Sequence, residues 1–254
     1  MQKLISIDIK ADFGLLKKPD TNEPVYLTFN MIHKPALLGI FGAIIGLEGF
    51  KKQGQLPEYY NRLKNLKTGI QPLEHENGNY QKTVITYNNT TGMASDEQGG
   101  NLMVSEQTLI APAFRIFVLL DTENEMHDKL QIYLKENKAE YLPYLGKNDF
   151  SLWWEKYNEY NFQPFTAKDS FSIGSIFKKS ERLKGKTEEQ DLFELIMEQS
   201  GSFIYFENLP VGYEGAPLYQ YEYFPFAFTD YPLKQNYQAE DLYELDNGLK
   251  IQLF

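Results

Sequence analysis

Met31-Ile-His-Lys-Pro-Ala-Leu-Leu-Gly-Ile-Phe-Gly-Ala-Ile-Ile-Gly-Leu-Glu-Gly-Phe50 is the stretch whose reading decides the rest of the chain. Pro35 suits a first helical position, where its missing N–H would be unpaired in any case. Leu37, Phe41, Ile44 and Leu47 recur at helical spacing and define an apolar face. Gly39, Gly42 and Gly46 recur on the opposite face. Three glycines in a helix interior give up about 1 kcal/mol each relative to Ala, and close approach of another backbone is the usual compensation. Two readings follow: a neighbouring helix or sheet packs on that face, or a nucleic-acid strand runs along it. His33 and Lys34 stand just before the helix, where free N–H groups favour an anion such as phosphate.

Outward from this helix the N-terminal part reads as mixed α and β. Leu4 to Lys10 alternates as a half-buried strand, with Ile5, Ile7 and Ile9 on one face and Ser6, Asp8 and Lys10 on the other. Pro57–Leu66 has the pattern of a short helix, and Thr68–Leu73 of a strand. Lys82–Tyr87 and Asn101–Val104 are extended runs around a polar, turn-rich segment, which predicts a long hairpin projecting from the body. Pro112–Leu120 is the clearest strand. Thr122 and Glu125 have capping-box spacing for a helix to about Asn137 that buries Met126, Leu130 and Tyr133 or Leu134.

Beyond residue 150 the chain is rich in aromatic β-formers. Strands are expected at Phe171–Phe177, Ser202–Phe206 and Tyr219–Phe228, with a helix over Thr187–Gln199. Asn247-Gly248 marks a closing hairpin between Asp241–Leu245 and Leu249–Leu253. Tyr and Phe in this half read mainly as sheet core, with a stacking platform for bases as the lesser reading.

The 254 residues suffice for one large domain or two small ones, and there is no cysteine to form a disulfide or thiolate metal site. The apolar run 35–47 is too short to cross a bilayer and the N-terminus lacks a signal-peptide core, so a cytoplasmic protein is expected. Net charge is −10, but residues 1–118 carry +1 and residues 119–254 carry −11. A basic surface on the N-terminal part therefore remains compatible with the acidic total. No Walker loop or dinucleotide fingerprint is present, and His33, His75 and His127 share no metal-ligand spacing. No cofactor is expected. His33 with Tyr26 and Lys34 could form a metal-free acid–base group for RNA cleavage.

Four segments in order carry a family resemblance: Ile5-Ser-Ile-Asp-Ile-Lys-Ala-Asp-Phe13, Pro35-Ala-Leu-Leu-Gly-Ile-Phe-Gly-Ala-Ile-Ile-Gly-Leu47, Glu106-Gln-Thr-Leu-Ile-Ala-Pro-Ala-Phe-Arg-Ile-Phe-Val118 and Tyr141-Leu-Pro-Tyr-Leu-Gly146. Together they resemble the fifth CRISPR-associated (Cas-five) family of type I Cascade subunits, in a form closest to the I-B branch. The resemblance implies an α+β fold. A ferredoxin-like, RRM-type domain over 1–150 would carry an inserted β-hairpin thumb at about 78–110, and a β-rich region would follow over 151–254. It also implies a non-catalytic subunit that holds the 5′ handle of the CRISPR RNA, caps the backbone, packs on the first backbone subunit and the large subunit, and meets target DNA indirectly, with no membrane role. One branch of the family cleaves precursor RNA with a Tyr, Lys and His group, which keeps a metal-independent endoribonuclease as the alternative. The residues expected at RNA are Lys10, Lys17, Lys18, His33, Lys34, Gly39, Gly42, Gly46, Met93, Arg115 and Lys147, with Met93 as an apolar wedge on the thumb.

Overall fold

The structure, a computed structural model, describes residues 1–19, 24–74, 77–89, 102–179, 196, 201–215, 220–237 and 239–254. Met93, the hairpin tip and the helix expected over Thr187–Gln199 lie outside these residues, apart from the single residue Ile196.

Strands β1 (Gln2–Ala11) and β2 (Phe13–Gly14) open the chain and are followed by helix α1 (Lys34–Ile45), helix α2 (Glu58–Leu63) and β3 (Lys67–Pro72). Next come β4 (Lys82–Asn89), β5 (Leu102–Ile110), β6 (Ala113–Asp121), helix α3 (Glu125–Lys135) and β7 (Leu152–Tyr160). The chain closes with β8 (Phe162–Pro164), β9 (Phe177–Lys178), β10 (Ile204–Glu214), β11 (Gln220–Thr229), β12 (Leu242–Leu245) and β13 (Lys250–Gln252).

The main sheet has the order β3-β6-β1-β7, and each neighbouring pair is antiparallel. Around it the chain reads strand β1, helix α1, strand β3, strand β6, helix α3, strand β7. Strands β4 and β5 form a hairpin inserted between β3 and β6, in continuous register from Lys82 opposite Leu109 to Asn89 opposite Leu102. The architecture is thus α+β with antiparallel sheets. A division at residue 150 does not isolate the main sheet, because β7 completes it.

One face of this sheet packs on α1 and α3 through Ile5, Ile7, Ile9, Ile116, Val118, Leu37, Phe41, Ile44, Leu130 and Leu134. Strand β1 is buried on both faces, which corrects the half-buried expectation. Its polar face is covered at one end by β12 and β13, where Leu4, Phe117 and Leu119 meet Leu245, Ile251 and Leu253. At the other end Asp8 is fully buried and accepts two bonds from Arg115, at 2.7 and 2.9 Å, with Lys156 at 3.5 Å. A paired cation on each side is what makes a buried carboxylate tolerable there.

Local starts and stops also differ from expectation. Helix α3 is capped by Asn124, whose side chain accepts from the Met126 N–H, and not by Thr122, which bonds Met1. The span 171–177 is not a strand. Phe171 makes a single bridge to Leu233, Gly174 lies against Leu249, and only Phe177–Lys178 joins β11. The Asn247-Gly248 hairpin forms between β12 and β13, with Gly248 at φ +81. No helix among the described residues is long and apolar enough to cross a membrane.

Candidate functional site

Helix α1 is built much as its sequence suggests, with His33 as N-cap and Pro35 in the first turn. The Ala36 N–H donates to His33 Nδ1 at 3.3 Å. Gly46 is not an interior residue. It ends the helix in the left-handed region at φ +80, where glycine carries no Cβ penalty. Gly42 packs on α2: a Cβ added there would fall 2.4 Å from Tyr59 Cβ. Protein packing, the first of the two readings of the glycine face, therefore holds at Gly42. Gly39 is looser, with the Tyr59 ring 3.6 Å from an added Cβ.

The remaining open side of α1 floors a groove of about 770 Å³. Ala36, Gly39 and Ala43 form the floor, because small side chains one turn apart leave room above the helix. One wall is Tyr59 from α2 with Tyr213 and Tyr221 from β10 and β11. The other is the loop Tyr141-Leu-Pro-Tyr144, and Phe50 stands with them at the groove's lining. Tyr213 and Tyr221 stack at 5.1 Å and 22°, and His33 meets the Tyr221 ring edge-on at 5.5 Å.

Backbone bonds hold this loop in place. The N–H groups of Glu140 and Tyr141 donate to the Ile44 and Ala43 carbonyls at 2.9 and 3.1 Å, closing the open end of α1. Gly146 turns at φ +84, and a Cβ there would lie 1.8 Å from the Leu15 carbonyl oxygen, so only glycine fits. Tyr141 and Leu142 remain 61% and 73% exposed at the rim.

The charged residues expected at RNA fall into three groups. Lys10 pairs with Glu74 and with Glu155 at 3.3 Å, Arg115 with Asp8, and Lys147 with Glu106 at 2.8 Å. Lys34 is buried at the start of α1. Burial, then the nearby Lys178 and Lys67, hold its pKa down to about 8. Lys17 and Lys18 form the third group: Lys17 Nζ sits 3.4 Å above the Tyr26 ring and Lys18 Nζ 5.3 Å from Phe29. Neither makes an ion pair among the described residues. His33 is buried, and desolvation pushes its pKa down to about 3, so it is neutral near pH 7.

Chemically, the groove offers flat aromatic walls, a shallow apolar floor and one cation, Lys17, besides the Lys51–Glu48 pair. It can take an extended chain or a stack of planar groups. Among the described residues no cluster of His, Asp or Glu is arranged to hold a metal. Sequence reasoning missed the wall. Tyr213 and Tyr221 were read with the sheet core, and Tyr141 and Tyr144 only as part of a family segment. Two tyrosines flanking Leu-Pro in a loop are an available signal, since exposed rings there have no core to fill.

No protein-family model matches the sequence, and no curated protein matches it. Solved structures align along most of the chain at low identity. A chain of the Type III-B Cmr-beta complex bound to cognate target RNA and AMPPnP aligns with a TM-score of 0.50 at 11% identity, covering 91% of this chain and 86% of that one. A chain of a CRISPR RNA-guided surveillance complex aligns at 0.48 and 11% identity, covering 96% and 92%. A CRISPR protein from Archaeoglobus fulgidus aligns at 0.47 and 13% identity, covering 99% and 98%. At such identities the likeness is one of fold.

Proposed function

We propose that the chain is a non-catalytic subunit of a type I CRISPR Cascade complex that binds the 5′ handle of the CRISPR RNA and caps the backbone. The observation that carries this is topological. The strand–helix–strand–strand–helix–strand order around β3-β6-β1-β7 supports a ferredoxin-like reading of the α+β fold. A hairpin, β4–β5, is inserted between its second and third strands, within the span 78–110 for which the resemblance implies a thumb. The four resembling segments fall on β1, α1, β5–β6 and the loop that lines the groove. The fold shared with a Cmr-beta subunit is consistent with this reading.

Within it, Lys17 and Lys18 meet phosphate, since their ammonium groups rest on rings and make no ion pair among the described residues. The exposed rings of Tyr141 and Tyr144 stack on unpaired bases. The first backbone subunit and the large subunit are the expected protein partners. The neutral, buried His33 supports the non-catalytic reading, because its Nδ1 is occupied as a helix cap.

The test is binding of repeat-derived handle RNA by the reconstituted complex. Lys17→Ala with Lys18→Ala should weaken binding by about tenfold and reduce the salt slope by about 1.4, two single-strand phosphate contacts at about 0.7 each. Wild-type affinity and slope in that variant would remove these lysines from the interface. Cleavage of repeat RNA by the purified chain in EDTA, lost on His33→Ala, would overturn the non-catalytic assignment.

A further inference from the structure

Sheet edges are hazards, because their unpaired backbone groups accept any passing strand, and proteins blunt them with charge, proline, bulges or cover. Most edges here are treated in that way. Strand β7 carries Glu155, Lys156 and Glu159 and a bulge opposite β1. Strand β10 has Pro210 and a register break beside it. Strand β3 ends at Pro72, and Thr68 exchanges backbone bonds with Phe254 at 3.0 and 2.9 Å. Strands β2, β8, β9 and β13 are two or three residues long.

Strand β4 is the exception among the described residues. It is eight residues long and lies at the outer edge of the order β2-β5-β4. Its register with β5 has no bulge, and from Thr83 to Tyr87 it contains neither charge nor proline. Thr83, Val84, Ile85 and Thr86 are all β-branched, so the edge is held in strand conformation. Between Thr83 and Tyr87 its outward face is uncharged too: Val84, which is 54% exposed, pairs with Gln107, and Thr86 bonds Ser105 at 2.8 Å, while the Lys82 ammonium is turned to Asn30.

We propose that the Thr83–Tyr87 edge of β4, which no other strand pairs among the described residues, is a strand-addition site, occupied by an extended segment of a different protein chain. The backbone of the edge dictates an extended occupant, and its lack of charge dictates neutral side chains opposite it. Two copies of a chain at −10 repel one another, which favours a different partner over self-pairing. This goes beyond RNA binding and does not depend on it.

The experiment compares residue-resolved amide exchange in the free chain and in its native assembly, recovered through a tag on this chain. Alternate amides between Thr83 and Tyr87 should slow by about tenfold or more on assembly, as hydrogen bonds to an added strand require. Val84→Lys with Thr86→Lys should leave melting of the free chain unchanged and abolish recovery of the assembly, with Val84→Lys alone as the milder variant. Equal exchange in both states overturns the proposal, as does normal assembly of both variants or recovery of the chain alone. A dimer of the free chain with protected β4 amides replaces the partner by a second copy. Handle-RNA binding, read on the same samples, reports separately on the proposed function.

Discussion

His33 does two things at once: its ring packs between Phe29 and Tyr221, and its Nδ1 caps α1. The cap requires the neutral imidazole, because only an unprotonated Nδ1 can accept, and burial lowers its pKa from 6.5 to about 3. The unfolded chain therefore takes up a proton near pH 6.5 that the folded chain refuses. Stability from this site is complete above that pH and declines as pH falls toward 3, by up to about 1.4 kcal/mol per unit. Asn is a good N-cap without a titration, so His33→Asn should flatten the fall in Tm between pH 7 and pH 4. An unchanged slope would locate the acid sensitivity elsewhere. Gly42 is the companion case. Gly42→Leu drives a branched side chain into Tyr59 and should lower stability by about 1–3 kcal/mol or more, seen as a drop in Tm of the free chain. Retained stability would mean that α2 moves aside at no cost.

At the level of elements, the hairpin is held to the body by its base. Glu106 is buried and accepts from Tyr87 Oη at 3.0 Å and from Lys147 Nζ at 2.8 Å. Lys147 also lies 4.2 Å above the Tyr87 ring, and Tyr26 exchanges backbone bonds with Ser105 and Gln107 on β5. Two strands and the turn before Phe150 thus meet at one carboxylate, and the run before α1 pairs with the backbone on either side of it. Glu106→Ala removes the closer carboxylate from Lys147, leaving Asp149 at 3.5 Å, and takes the acceptor from Tyr87, which should cost about 1–3 kcal/mol. It should also speed amide exchange across β4 and β5. In a double-mutant cycle, Glu106→Ala with Lys147→Met should cost less than the two single changes added together. Strict additivity would show that the pair does not set the hairpin's orientation.

For the molecule as a whole, the parts legible in sequence are those whose physics is local. The Pro35 start, the alternation of β1, the Pro112–Leu120 strand and the Asn247-Gly248 turn each carry their own signal, and each appears within a residue or two of its expected place. The first half of the hairpin carries its own signal too, whereas the second, expected over Asn101–Val104, continues to Ile110. What could not be read depends on partners distant in the chain. Asp8 and Arg115 look like surface charges until the sheet places them face to face. The groove draws on residues from Leu15 to Tyr221, and no window of sequence contains it. Strand β7 escaped notice altogether, because Trp154 and Tyr157 both face the helices and lie three apart, where alternation asks for two.

The cause of that spacing is the bulge in β7, where Lys156 and Tyr157 together stand opposite Ile7 and Lys156 turns at φ +54. Its consequence reaches past this strand to how the chain can be compared with others. The bulge is in effect a one-residue insertion hidden inside a secondary-structure element. An alignment that allows gaps only in loops would pass over it and place Asn158, Glu159 and Tyr160 one position out of phase. Inward-facing residues would then be matched to outward-facing ones up to the end of the strand. Lys156 itself reaches the buried Asp8 from the bulge, so the inserted residue is also one half of an ion pair. A gap opened at Lys156, in the middle of a strand, is what would bring the two halves of β7 back into step.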